Sequence, residues 1–263
     1  MTTQQPTLFI PHGGGPCFFM DDPAGMWTGM ADFLRGLPAA LDARPKAILV
    51  ISGHWETDGF ALTGAAKPDL LFDYYGFPAH TYQLRYDAPG APELAQKAAR
   101  LLSDAGLPAR IDTERGLDHG VFVLLKVAFP DADIPIVEMS VDAGLDPALH
   151  LAAGRALASL RDEGVLIVAT GMSFHNMRGY NDPRFTLPSE QFDAWLSESL
   201  ALDGAARDDR LKAWETAPAA RISHPAAEHL LPVMIAAGAA SGPAEKIYSE
   251  HVLKTTISGF RFN

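Results

Sequence analysis

Five of the nine histidines in this chain stand where an apolar run ends or a turn begins, and together they span most of the sequence. They are His12, His54, His119, His175 and His229. Imidazole is the commonest side-chain ligand for metals, and it changes charge close to neutral pH. An α/β fold places its chemistry at strand ends and in the loops that follow them. The pattern therefore predicts a metal site that has an acid or base of its own.

His12 follows a short apolar run and precedes the glycines Gly13, Gly14 and Gly15 and then a proline. Glycine lets the backbone of a tight turn approach a metal or a substrate closely, which favours His12 as a ligand. A phosphate-binding loop is less favoured, because these glycines fit neither the Walker A nor the dinucleotide-binding spacing.

His54 comes two residues after the apolar run Ala47–Ser52, which has the continuous hydrophobicity of a buried central strand. Side chains alternate along an extended chain, so His54 and Glu56 lie on the same face. One of the two can coordinate a metal while the other supports it by hydrogen bonding. A histidine that only packs against a neighbouring loop is the alternative.

Glu228 and His229 lie in Pro225–Gly238, a segment whose pattern predicts a helix. Adjacent helical side chains point about 100° apart, so the two cannot both face one ion, and the choice between them stays open. His224 stands directly before a proline, and we interpret it as a capping or surface residue.

His175 follows the predicted strand Val165–Thr170, and His119 stands at the start of the predicted helix Val121–Ala128. A fourth histidine on the metal would close its coordination shell, whereas catalytic sites leave a position open. We therefore assign His175 to general acid–base catalysis. Two roles are equally supported for His119, a hydrogen bond to a substrate oxygen and a cap of the helix. The remaining histidines and the cysteine are expected to be exposed or structural: His80, His150, His251 and Cys17.

Apolar runs alternate with amphipathic segments along the whole chain, as strands alternate with helices in α/β proteins. The pattern predicts strands at 7–10, 47–52, 60–64, 134–141, 165–170 and 252–260, and helices at 26–37, 91–105, 121–128, 147–161, 190–200, 208–214 and 225–238. The aromatic-rich segment 68–90 is predicted to be an ordered loop. We expect one domain over residues 1–263, with a mostly parallel or mixed central sheet flanked by helices and the active site at one end of the sheet.

Composition excludes several other classes of protein. Hydrophobic residues make up 48% and charged residues 20%, as in globular proteins. The formal net charge of −11 argues against a nucleic-acid partner and against an anionic membrane surface, and no apolar run has the length of a membrane span. A single cysteine excludes an intrachain disulfide. Together with an N-terminus that lacks signal-peptide features, this composition predicts a cytoplasmic protein.

The order of the histidine motifs resembles that of the DOPA-type extradiol ring-cleaving dioxygenases, which belong to the class III, protocatechuate 4,5-dioxygenase-like superfamily. The resemblance covers nearly the whole chain. It rests on Pro11-His12-Gly13-Gly14-Gly15-Pro16, Ser52-Gly53-His54-Trp55-Glu56, Tyr75-Gly76-Phe77-Pro78, Tyr86-Asp87-Ala88-Pro89-Gly90, Gly116-Leu117-Asp118-His119-Gly120, Phe174-His175-Asn176 and Glu228-His229-Leu230-Leu231-Pro232.

This resemblance implies an α/β enzyme with one metal ion at the end of its sheet. Its metal ligands would be His12, His54 and His229, and His175 would take a proton from a catechol and later return one. Substrate would contact His119, Gly13, Gly14, Tyr75 and Phe77, while Glu56 and Glu228 would support the ligands. The implied substrates are a catechol, such as DOPA, and O₂, and the product is a muconic semialdehyde. A homodimer is compatible with this assignment.

The implied metal is Fe(II), although Zn(II) could occupy the same site in purified protein because zinc lies above iron(II) in the affinity order. Two other functions stay open. One is a catalytically silent metal- or ligand-binding protein like the Memo proteins, which retention of His175 disfavours. The other is a zinc-dependent amide or ester hydrolase, since three histidines also suit zinc. The scarcity of general-base carboxylates beyond Glu56 and Glu228 disfavours it.

Overall fold

The computed structural model describes residues 4–240 and 242–263, and within these ranges it has eight β-strands and eight α-helices. The strands are β1 (Thr7–Pro11), β2 (Ala47–Thr57), β3 (Phe60–Thr63), β4 (Ala109–Asp112), β5 (Ile136–Asp142), β6 (Val165–Gly171), β7 (Ala244–Val252) and β8 (Thr255–Phe262). The helices are α1 (Thr28–Gly36), α2 (Pro92–Asp104), α3 (His119–Ala128), α4 (Pro147–Leu157), α5 (Thr186–Leu200), α6 (Gly204–Lys212), α7 (Ala220–Ser223) and α8 (Pro232–Gly238). Short 3₁₀ helices cover Cys17–Phe19, Leu37–Ala40, Ala79–Gln83, Ala158–Glu163, Pro183–Phe185 and Trp214–Thr216.

The strands form one sheet in the order β4-β3-β5-β2-β6-β1-β8-β7. Its centre is parallel, because β2 pairs with β5 and β6, and β6 pairs with β1. The pairs β3–β5, β1–β8 and β7–β8 are antiparallel. The register aligns Ser52 with Thr170 and Pro11 with Gly171, so β1, β2 and β6 reach the same edge of the sheet. The predicted α/β fold with a mostly parallel, mixed sheet is confirmed.

Helices cover both faces of the sheet, which explains why the central strands are apolar without alternation. Leu49 and Ile51 of β2 belong to a core shared with α2, α4, α5 and α8, whereas Ile48 and Val50 belong to the opposite core with α1 and α3. Both ends of the chain contribute to this packing, since β1 pairs with β8. Within the described ranges, no helix is long and apolar enough to cross a bilayer.

The predicted last strand at 252–260 is present with shifted ends as β8 (Thr255–Phe262), and its first residue, Val252, is the end of β7. Val252 pairs with Thr255 across a two-residue turn of Leu253 and Lys254, whose φ angles are 51° and 66°. Hairpin turns with two positive φ angles usually contain Asn or Gly. This turn therefore has no sequence signal, and the predicted strand begins at Val252 instead of Thr255.

The predicted helix at 225–238 is wrong in its first half, since α8 begins only at Pro232. A proline inside a helix removes one backbone hydrogen bond and clashes with the preceding turn, whereas the first helical turn accepts it. Glu228 and His229 therefore lie in turns before the helix. The other predicted elements are present with shifted ends, while β4, α7 and most of β7 were not predicted.

A buried cluster of charges ties β2, β5 and α3 together below the edge where the histidines stand. Asp118 accepts hydrogen bonds from Ser52 Oγ at 2.9 Å and Arg115 Nη2 at 3.1 Å. Arg115 Nε also donates to Glu138 Oε1 at 3.3 Å, and its guanidinium lies 4.3 Å from the Trp55 ring centroid. Burial and the charge of Asp118 raise the pKa of Glu138 well above its usual range. Arg115 is thus the cation shared by two buried carboxyl groups.

We expect Arg115→Ala to lower the free energy of unfolding by about 3–5 kcal/mol, because it leaves both carboxyl groups buried without their cation. Urea denaturation at neutral pH measures the change. Arg35→Ala is the matched control, since Arg35 and its partner Asp32 are 59% and 66% exposed and such pairs contribute about 0–1 kcal/mol. Equal losses in the two variants would contradict this role for Arg115.

Candidate metal centre and active site

Three histidines from distant parts of the chain converge at the edge of the sheet. His12 directly follows β1, His54 lies in the last part of β2, and His229 lies in the turn before α8. One ring nitrogen from each lies within 4.8 Å of the others, and His54 Nε2 is 3.2 Å from His229 Nε2. A register shift between Ser52 and Glu56 interrupts the pairing of β2 beside His54. Such bulges re-aim side chains next to active sites.

The chemistry of these three rings fits a divalent metal ion. Both ring nitrogens of His12 are buried and have no hydrogen-bond partner among the described residues, which is costly unless another group binds them. Burial and the neighbouring imidazoles lower the pKa of His12 and His229, and burial lowers that of His54 to about 4. All three rings are therefore neutral near pH 7, which is the form that binds metals.

Two glycines make room for the turn that carries His229. A Cβ atom on Gly171 would lie 2.2 Å from the carbonyl oxygen of His229, and a Cβ on Gly53 would lie 2.7 Å from that of Glu228. The same His229 carbonyl accepts a hydrogen bond from the backbone of Met172 at 3.0 Å. The turn thus packs directly on the ends of β2 and β6, which fixes the height of His229 above the sheet.

Glu228 lies behind the rings of His175 and His229. Its Oε1 accepts a hydrogen bond from His229 Nδ1 at 3.0 Å and lies 3.2 Å from His175 Nδ1. Burial by itself would raise the pKa of Glu228, but these two contacts outweigh burial and lower it well below its usual range. His229 Nε2, on the other side of its ring, faces His54. This arrangement suits His229 as the ligand and Glu228 as its support.

His175 lies parallel to His229, with ring centroids 3.5 Å apart and an angle of 14° between the planes. Its backbone N–H donates to Ser223 O at 2.9 Å. The ring lines the same cavity as His12 and His54. His175, Glu228 and His229 also form a set that could hold an ion, but Glu228 already binds both imidazoles.

His119 is held by Asp73, a residue that sequence reasoning missed. His119 Nδ1 lies 2.7 Å from Asp73 Oδ1, and the same oxygen accepts from the His119 backbone N–H at 3.0 Å. Asp73 therefore caps α3, so the role of His119 as the cap is not supported. Asp73 Oδ2 also lies 3.8 Å from His54 Nδ1. The only sequence signal was an acidic residue inside the aromatic loop 68–90.

A cavity of about 420 Å³ opens above the histidines. It contains the predicted substrate-binding residues Gly13, Gly14, Tyr75 and Phe77, together with His119. Gly15 allows Phe77 to pack against the glycine loop, because a Cβ on Gly15 would lie 2.8 Å from the Phe77 ring. The first glycine-rich turn and the aromatic loop thus form one wall.

Other predicted residues lie outside this cluster. Glu56 is exposed, and no hydrogen bond joins it to a histidine among the described residues. The prediction of a surface or capping role for His224 is wrong, because its ring is fully buried beside Phe192 and its Nε2 lies 3.0 Å from Ser173 O. The end of α7 contacts the segment that carries His175, since Ser223 O accepts from the His175 backbone N–H. The remaining histidines and the cysteine match expectation: His150 and Cys17 are buried, and His80 and His251 are exposed.

The family model described as the catalytic LigB subunit of aromatic ring-opening dioxygenase matches residues 6–261 of this chain. The chain belongs to this family. It is 38% identical over 254 residues to a Beta vulgaris protein named 4,5-DOPA dioxygenase extradiol, which covers 92% of this chain and 90% of that protein. A protein of the same name from Escherichia coli K12 is 36% identical over 246 residues, with 92% and 87% covered.

A crystal structure of an uncharacterized protein from Escherichia coli K12 has a TM-score of 0.79 to this chain at 30% identity, and covers 99% of this chain and 100% of that one. These findings confirm the resemblance and the enzyme class. The chain is an extradiol dioxygenase of the aromatic ring-opening type. They favour this class over a silent binding protein and over a zinc hydrolase.

We expect Gly171→Ala to weaken metal binding by about 10–100-fold, as changes that displace a ligand's support do. The added Cβ would meet the His229 carbonyl and force the turn away from β6. Metal titration measures the affinity, and circular dichroism checks that the variant folds. In the control Gly36→Ala the added atom meets nothing within 4 Å, and metal affinity should not change. A folded Gly171→Ala with wild-type affinity would contradict this role for the contact.

Glu228→Gln should keep its metal and lose activity by about 10–100-fold, because the amide still accepts one hydrogen bond but no longer carries the charge. His229→Gln is the matched variant, and it should lose the metal. Metal content by elemental analysis and O₂ uptake separate the two effects. The reverse result, an empty site in Glu228→Gln and a filled site in His229→Gln, would make Glu228 the ligand.

Proposed function

We propose that this extradiol dioxygenase holds one Fe(II) ion through His12, His54 and His229 and opens the ring of a catechol beside its two hydroxyl groups. The observation that carries the proposal is His12, whose two buried ring nitrogens have no hydrogen-bond partner among the described residues although one of them lies within 4.8 Å of ring nitrogens of His54 and His229. The relatives' printed name, 4,5-DOPA dioxygenase extradiol, supports a catechol as the substrate class.

Iron(II) is the working metal in this proposal, because zinc has no redox chemistry. Bound iron(II) would supply the electron transfer between an aromatic ring and O₂ that the family's reaction requires. Zinc(II) would fit the same three imidazoles and compete for them. The metal found in a purified sample therefore depends on which of the two ions is available during its preparation.

Glu228 prepares two imidazoles for different tasks. Because Oε1 accepts from Nδ1 of His229, the lone pair of His229 lies on Nε2, where a metal ligand is needed. The contact with His175 Nδ1 likewise leaves the lone pair of that ring on Nε2. His175 is not one of the three proposed ligands, so its Nε2 is free to take a proton from a catechol hydroxyl and to return it later.

His119 and the cavity wall orient the substrate. Asp73 occupies His119 Nδ1, so Nε2 is the nitrogen left for a catechol oxygen. The Tyr74 ring lies against His119 at 5.7 Å between centroids, which limits movement of the imidazole. Phe77 and Tyr75 provide aromatic surface around the bound ring, while Gly13 and Gly14 let the ring approach the backbone.

The test uses protein reconstituted with Fe(II) without oxygen and then exposed to O₂ with a panel of catechols. We expect O₂ uptake and a yellow semialdehyde product from the wild type. His12→Ala should lose the metal, whereas His175→Ala should keep it and react about 10²–10⁴-fold more slowly. His251→Ala is the control, because His251 is an exposed residue paired with Glu190. Iron-loaded wild type that consumes no O₂ with any catechol would overturn the proposal.

A further inference from the structure

The cavity above the histidines offers almost no polar group for a substrate's ring substituent. Apart from the histidines and glycines, its lining consists of Trp27, Tyr74, Tyr75, Phe77, Met172, Met177, Tyr180 and Leu253. Among these described lining residues there is no lysine or arginine, and no amide or aliphatic hydroxyl. In the proposed complex the histidines and the metal bind the catechol oxygens. The rest of the substrate therefore contacts aromatic rings, thioethers and one leucine.

The tyrosine hydroxyls add little to this set. Tyr74 donates its hydroxyl hydrogen to Thr81 O at 2.6 Å, and Tyr180 donates to Phe174 O at 2.9 Å. Both donors are therefore used inside the protein. Tyr75 is 91% exposed, so its hydroxyl is hydrated in the free enzyme. A charged substituent among these rings would lose water, and the only donors the described lining offers besides the histidines are the exposed Tyr75 hydroxyl and the Trp27 indole N–H, which is unfavourable.

The charge around the cavity disfavours anionic substituents in particular. Asp73 and Glu228 lie directly behind the histidines, and the chain carries a formal net charge of −11. Two cations are neighbours of the rim in sequence: Arg178 follows Met177, and Lys254 follows Leu253. Both are exposed, and neither lines the cavity. A substrate carboxylate would thus have negative groups nearby and no buried cation to pair with.

We propose that the preferred substrate is a catechol whose ring carries an uncharged, apolar substituent, alkyl or aryl, rather than a carboxylate. This inference rests on the proposed function for the catechol itself and specifies the remainder of the molecule. Met172 is buried, whereas Met177 is 72% exposed, so the apolar surface extends from the interior to the mouth. Methionine adapts its shape to different apolar partners, which suits substituents of more than one shape.

The experiment compares substrates that differ in one group. Dissociation constants are measured without oxygen on the Fe(II) enzyme, and kcat/KM is then measured by O₂ uptake. The pair 4-propylcatechol and 3-(3,4-dihydroxyphenyl)propionate has nearly the same size but differs in the carboxylate. We expect tighter binding and at least about 10-fold higher kcat/KM for 4-propylcatechol. From 4-methyl- to 4-propylcatechol, kcat/KM should rise by about four-fold per methylene, the factor for burying one such group.

The two proposals fail in different ways. Equal or tighter binding of the carboxylate, or of DOPA, would overturn the apolar preference even if the enzyme is active. Preferential binding of 4-propylcatechol without O₂ uptake from any catechol would support the preference and overturn the dioxygenase mechanism. A selective loss of carboxylate turnover in Arg178→Ala or Lys254→Ala would show that the rim cations recruit anions, and would also overturn it.

A variant that adds a positive charge to the cavity also tests the preference for uncharged substituents. Met177→Arg places a cation at the mouth of the cavity, and it should improve carboxylate binding relative to 4-propylcatechol by about 10-fold. Ile111→Arg is the matched control, because it adds the same charge at a position in β4 that does not line the cavity. The proposal would be contradicted if the ratio of carboxylate binding to 4-propylcatechol binding changed equally in both variants, or did not change in Met177→Arg.

Discussion

A single carboxylate oxygen, Oε1 of Glu228, determines which ring nitrogens of His175 and His229 remain available. A neutral imidazole has one N–H and one lone pair, so a fixed acceptor on one side decides the function of the other. Both Nδ1 atoms face the same oxygen, and in our proposal the His229 ring binds the metal while the His175 ring accepts a proton. The two rings stack with their centroids 3.5 Å apart. The proposed metal ligand and the proposed base are therefore neighbouring but different residues.

The edge of the sheet explains why much of the site could be predicted from the sequence. Parallel strands that pair in register reach the same edge, so residues at the ends of β1, β2 and β6 or just beyond them lie close together whatever their separation in the chain. His12, His54 and His175 follow apolar runs that are easy to recognise, because strands buried on both faces have no polar alternation. The position of these histidines in the fold therefore followed from local hydrophobicity alone.

Other parts of the site depend on contacts that no local pattern reports. Asp73 lies in a loop without periodicity, and its role appears only where that loop meets the start of α3. Glu228 and His229 were predicted to lie on a helix, where adjacent side chains point about 100° apart. That angle does not apply, because both residues lie in turns before α8. Pro232 would have indicated the true helix start. The close approach of Gly171 to His229 joins residues far apart in sequence, so only the folded chain reveals why a glycine is needed.

The cavity also draws one wall residue, Leu253, from the tip of the β7–β8 hairpin. Loop closure entropy grows only slowly with length, so the cost of an insertion here lies mainly in the hydrogen bonds that Leu253 O and Lys254 O accept from Asn181 N and Thr186 Oγ1. The strand behind this tip, β8, is held in place by its pairing with β1. Lengthening or shortening the turn would therefore reshape the mouth while leaving the histidines where they are. In evolutionary terms, the range of molecules admitted can diverge between lineages through indels at one surface turn.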